Sequence, residues 1–146
     1  MKGEKMEDIK HIDKNDNEYL ENIVQISSYN NSTYALTADG EVYGWGYNGN
    51  GEFGDGTSGN KWCAVRVKTS ATEYLTGVSK IAAGSNHSVF LKDDGSVYTS
   101  GSNGYGQLGR GESQVYAMKT TRSDFEEVVD ISASAYNTIV LRKDGT

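Results

Sequence analysis

Apolar positions fall in short bursts along the chain. Residues 32–37 and 88–92 are runs of β-branched, aromatic and aliphatic side chains; each is followed by an Asp-Gly pair, then by a second run at 41–45 or 96–100. Asp-Gly between two such runs signals a tight hairpin, because the turn needs positive φ that glycine adopts without strain. A further apolar segment precedes each hairpin, at 23–27, 78–83 and 128–132, and a weaker alternating one follows it, at 64–67 and 115–118. Each unit is therefore expected to hold four strands. The one helical competitor, 123–129, is too short to be stable alone.

The pattern repeats. Segment 17–26 (NEYLENIVQI) lies 55 positions ahead of 72–81 (TEYLTGVSKI), and the same offset pairs Asp39-Gly40 with Asp94-Gly95 and YNGNGEFGDG (47–56) with SNGYGQLGRG (102–111). A third copy follows 50 positions later, pairing Ile81 with Ile131, Leu91 with Leu141 and Asp94-Gly95 with Asp144-Gly145. The five-residue difference falls in the polar loop after Gly56, where a repeated supersecondary unit tolerates length variation. Tandem four-stranded units of this size are blades of a β-propeller. The expected fold is all-β: a partial β-propeller of four-stranded antiparallel blades that does not close a ring. Residues 1–7 are assigned to a frayed or disordered N-terminus, 8–22 to an outer strand of a preceding blade plus linker, 23–77 to the first repeat, 78–127 to the second and 128–146 to a truncated third. A ring needs more units than 146 residues provide, so the chain reads as a fragment of a longer protein. On its own it is expected to expose blade faces and to associate head to tail.

Composition narrows the function classes. The formal charge is -6 with 14 basic and 20 acidic residues, and no basic cluster offers the footprint of nucleic-acid or anionic-membrane binding. No apolar run reaches the length of a membrane span or a secretory signal, so the default expectation is a cytoplasmic protein. The lone cysteine, Cys63, has no activating base nearby in sequence and reads as a small, half-buried strand residue.

Two glycine strings, 49–54 (GNGEFG) and 104–109 (GYGQLG), match the GxGxxG turn of dinucleotide-binding proteins. That turn works only when a helix N-terminus follows, and none is expected after Gly54 or Gly109. The strings are instead expected to fold a tight loop, with Phe53 and Leu108 as buried anchors. His87 shares its repeat position with Ser32 and Asn137, which suggests a turn position satisfying backbone groups. No metal-ligand spacing and no nucleophile-base constellation emerges, so no cofactor and no catalysis are expected.

In an up-and-down blade, the turn between strands one and two and the loop between strands three and four share one end. That end would carry Tyr29, Asn30, Asn31, Tyr47, Asn48, Ser85, Asn86, Asn103 and Tyr105, residue types suited to contacting a protein partner, or else to packing loop on loop.

Segment 78–112, VSKIAAGSNHSVFLKDDGSVYTSGSNGYGQLGRGE, joins in order an IAAGxNHS turn, a DG hairpin, a VY strand and an NxYGQLGxG loop. It resembles the regulator of chromosome condensation repeat, and the resemblance extends over 9–146 as two near-complete copies and a partial third. Two departures stand out: Ser27, Ser28 and Tyr29 occupy the places of Ala82, Ala83 and Gly84, and the outer strand lacks its usual opening proline. The resemblance implies a seven-bladed propeller in the full family members. Some of these act as guanine-nucleotide exchange factors for a small GTPase and bind chromatin. For this chain the expected role is a non-catalytic platform for a protein partner, with exchange activity as the alternative.

Overall fold

The computed structural model describes residues 10–12, 17–111 and 116–146; the expectations for residues 1–7 and for Ile9 and Val115 lie outside them. Every regular element among the described residues is a strand. The strands β3 (Ile23–Tyr29), β4 (Ser32–Thr37), β5 (Val42–Gly46) and β6 (Lys61–Arg66) form one antiparallel sheet in chain order. A second sheet of the same order contains β7 (Val78–Ala83), β8 (His87–Lys92), β9 (Val97–Ser102) and β10 (Tyr116–Arg122). A third begins with β11 (Val128–Ala133) and β12 (Thr138–Arg142). Near the start, β1 (Lys10–Ile12) pairs antiparallel with β2 (Asn17–Tyr19), so residues 17–19, assigned above to a linker, are a strand.

The outermost strands differ from expectation in extent. β6 starts at Lys61 rather than Ala64, and β10 continues to Arg122 across a register irregularity between Ala117 and Thr121. Residues 123–127 form a link and Val128 opens β11.

The three units repeat in backbone conformation as well as in sequence. Each first strand carries a register irregularity at the same place, at Val24, Ser79 and Val129. Positive φ recurs at the same offsets: 77°, 79° and 87° at Gly40, Gly95 and Gly145, and 57°, 67° and 52° at Asn22, Gly77 and Glu127. At Gly46 and Gly101 the φ angles are 99° and 100°. There a Cβ would lie 2.0 Å and 2.4 Å from the carbonyl oxygens of Asn31 and Asn86, so only glycine lets β5 and β9 pass so close to the preceding turn.

Strand alternation distributes the core between neighbouring sheets. On β8, Phe90 packs toward the first sheet with Tyr34, Leu36, Val42 and Phe53, whereas Val89 and Leu91 face the third sheet with Val97 and Val128. The rings of Tyr34 and Phe90 meet edge to face at 5.9 Å and those of Tyr34 and Phe53 at 5.3 Å. The second sheet is thus buried on both faces. The outer positions are not: Ile139 and Leu141 are 62% and 46% exposed, whereas Val89 and Leu91, at the same repeat positions, are 0% and 3%.

Candidate functional site

The two glycine strings fold into the same loop. Asn48 Oδ1 accepts from the Phe53 amide at 3.0 Å and Asn103 Oδ1 from the Leu108 amide at 3.0 Å. Immediately before each anchor, Glu52 Oε2 accepts from the Asn50 amide and Gln107 Oε1 from the Tyr105 amide. Backbone bonds Gly51 to Asn48 and Gly54 to Gly51 are matched by Gly106 to Asn103 and Gly109 to Gly106. Phe53 and Leu108 are buried at 0% and 1% exposure, as anchors should be. Among the described residues no helix follows Gly54 or Gly109, so the strings show no helix N-terminus there that would face a pyrophosphate, and their bonds serve the loop's architecture.

These loops also dock each sheet on the next. The Glu52 carbonyl accepts from the Ser88 hydroxyl at 2.5 Å and the Ser100 hydroxyl at 2.7 Å, both on the second sheet. At the equivalent place, the Gln107 carbonyl accepts from the Thr138 hydroxyl of the third sheet at 2.7 Å. Tyr34 lies 2.6 Å from Ser88 Oγ. The phenol also lies 3.2 Å from the Glu52 carbonyl, to which it can donate, and burial holds its acidity far down. Burial also pushes the Glu52 carboxyl above the usual carboxylate range, against the bonds from Asn50.

The innermost strands are joined by side chains rather than by a ladder. Gln25 donates to the Ile81 carbonyl and accepts from the Ile81 amide, both at 2.9 Å, and Ser27 Oγ accepts from the Ala83 amide at 3.0 Å. This gives the unpaired edge of β7 its partners, and it accounts for Ser27 where the second repeat has Ala82. At the position of Gln25 the second repeat has Lys80, which pairs with Asp130 of the third at 2.8 Å.

His87 corrects the expectation of a turn residue. It opens β8, is 1% exposed, and its Nε2 lies 3.1 Å from Thr138 Oγ1 on the next sheet. The threonine proton goes to Gln107, so His87 donates from Nε2, and Nδ1 is left buried without a partner among the described residues. Burial lowers its pKa from 6.5 to about 4. A Cβ on Gly84 would meet the His87 ring at 2.1 Å, which is why Gly84 stands where the first repeat, having the small Ser32, carries Tyr29. Cys63 lies on β6 and is half-buried.

The nine loop residues gather at one end of the sheets. Tyr47 donates its amide to the Asn31 carbonyl at 2.8 Å, Asn30 Nδ2 donates to Ser85 Oγ at 2.5 Å, and Ser102 donates to the Asn86 carbonyl at 2.7 Å. The structure divides them by exposure. Asn48, Ser85 and Asn103 are buried, and their side chains hold the loops; Asn86 is half-buried; Tyr29, Asn30, Asn31, Tyr47 and Tyr105 are exposed. One residue was missed: Tyr136, 52% exposed, in the turn between β11 and β12, with its ring 5.1 Å from that of Tyr105. Its signal was available, since it lies 50 positions after Asn86.

Comparison with known proteins agrees with this geometry. The family model described as the regulator of chromosome condensation (RCC1) repeat matches residues 39–91 and 94–141, and a second model of that repeat matches 23–52 and 78–107. The chain is 32% identical over 115 residues to the ultraviolet-B receptor UVR8 of Arabidopsis thaliana, covering 77% of this chain and 26% of that protein. It is 40% identical over 96 residues to the regulator of chromosome condensation of Mus musculus, covering 64% and 22%. The chain thus spans about a quarter of these relatives. The solved structure of Prp20p from Saccharomyces cerevisiae, reported with its binding properties to Gsp1p and histones, superposes with a TM-score of 0.72 at 23% identity, over 88% of this chain and 30% of that one. On matched residues and on fold alike, the chain belongs to the regulator of chromosome condensation repeat family.

Proposed function

We propose that this chain is a non-catalytic module that presents a protein-binding surface at the loop end of its sheets. The observation that carries the reading is the set of exposed tyrosines, Tyr29, Tyr47, Tyr105 and Tyr136, of which Tyr47 and Tyr105 lie in loops braced by buried Asn48 and Asn103. Tyrosine offers a large amphipathic contact area with few torsions to freeze, and a braced loop has little left to order on binding. The Prp20p structure, whose reported partners are proteins, supports the reading. Guanine-nucleotide exchange is the alternative, supported by the 40% identity to the mouse regulator.

The test begins with a binder selected from a displayed protein library. Alanine at Tyr29, Tyr47 or Tyr105 is expected to weaken it about tenfold or more, the loss of a hot-spot side chain. Alanine at Asp39 or Asp93, on the opposite hairpin ends, is expected to change it less than about twofold. The reverse ranking overturns the proposal. Accelerated nucleotide release from a panel of small GTPases would favour exchange instead.

A further inference from the structure

Charge is segregated between the two ends of the sheets. At the loop end, segments 28–31, 47–50, 84–86, 102–106 and 134–137 contain no Asp, Glu, Lys, Arg or His. The charged residues described elsewhere in those loops are turned inward or paired. Glu52 is 1% exposed and holds Asn50. Asp55 pairs with Lys61 at 2.6 Å; burial alone would raise its carboxyl, but Lys61 and Thr57 together hold it below its ordinary value. Arg110 donates to the carbonyl and hydroxyl of Thr99. The opposite end is the reverse, with charged hairpin tips at 38–41, 92–95 and 142–145 and an acidic link at 123–127.

Among its described residues, a chain of net charge -6 thus presents a neutral face built of tyrosine, asparagine, serine and glycine. Such a face has no fixed charge with which to attract, orient or select a charged partner. What it offers is aromatic area, with Tyr105 78% exposed and its ring tilted against that of Tyr136 in the next unit, and amide and hydroxyl groups that both donate and accept. A charged segment laid against it would lose hydration without gaining a counterion.

Building on the proposed platform, we infer that the loop face takes an uncharged, hydrogen-bonding polypeptide surface, in a complex whose affinity is nearly independent of salt. The surface runs over turns from three successive units, an arrangement that suits an extended polypeptide.

The test uses the whole 146-residue chain and a phage-displayed library of random peptides. Enriched peptides are expected to have little net charge, and their affinity to change less than about twofold between about 50 and 500 mM NaCl, because no ion pair is screened. Tyr105→Ala and Tyr136→Ala are expected to weaken binding about tenfold, and Tyr105→Phe, which keeps the ring, less than about threefold; exposure at both sites leaves the melting temperature in place. Peptides that are lost in Tyr105→Ala but are basic or acidic, and weaken about tenfold or more with salt, would overturn the uncharged partner while leaving the platform standing. Peptides indifferent to both tyrosines would overturn the platform itself. Binding to a glycan array with no peptide enriched would overturn a polypeptide partner.

Discussion

His87 makes stability depend on pH in a direction that can be worked out. Its pKa falls from 6.5 to about 4 on folding, so between those values the unfolded chain binds a proton that the folded chain refuses. Stability is therefore complete above about pH 6.5 and declines as pH falls toward about 4, by up to ~3 kcal/mol at the lower limit. The variant His87→Asn, which installs the third unit's residue, is expected to flatten that part of the curve in urea unfolding across a pH series. An unchanged slope would remove His87 as its source. Gly46 is a second single-residue test. With φ at +99° and the Asn31 carbonyl 2.0 Å from any Cβ, Gly46→Ala is expected to cost about 2 kcal/mol or more. Gly59→Ala, where nothing lies within 4 Å, is expected to fall within about 0.5 kcal/mol of the parent in the same melts.

Among the elements, the glycine loop between third and fourth strands carries the most structural information. Asn48 accepts from Phe53 and donates to the carbonyls of Thr57 and Gly59. Asn48→Ala leaves those groups unmatched and is expected to lower stability by ~2 kcal/mol, with amide exchange rising over 49–59 and little changed in the second sheet. Exchange rising equally everywhere would mean the loop is not an independent unit. The hairpins were legible in the sequence because Asp-Gly turns and short β-rich runs are local signals, and the anchors Phe53 and Leu108 because the repeat set them side by side. The limits of β6 and β10 were not legible: outer strands pair on one side only, so sequence marks their ends weakly, and in β10 the register shifts. Nor was the role of His87, whose partner Thr138 lies 51 positions away. The exposed loop residues could be listed from topology, but Asn48, Ser85 and Asn103 could not be separated from them until their bonds were seen.

For the whole molecule, the recurring element is a seam: a hydroxyl at Ser88 or Thr138 donating to the carbonyl at Glu52 or Gln107, with apolar side chains packed behind it. Seams of this kind leave the terminal sheets with uncovered apolar positions at Ile26, Ile139 and Leu141. The 146-residue chain is therefore expected to self-associate as concentration rises, and Ile139→Lys with Leu141→Lys to suppress this in sedimentation velocity. Identical sedimentation of parent and variant at every concentration would contradict it. On the proposed function, these seams hold the loops together as a ready-made binding face, and amide hydrogen exchange with a selected peptide bound decides whether they do. Protection is expected at 28–31, 47–50, 85–86, 103–106 and 135–137, from all three units at once. Protection confined to the hairpin tips at 38–41, 93–95 and 143–145 would contradict it.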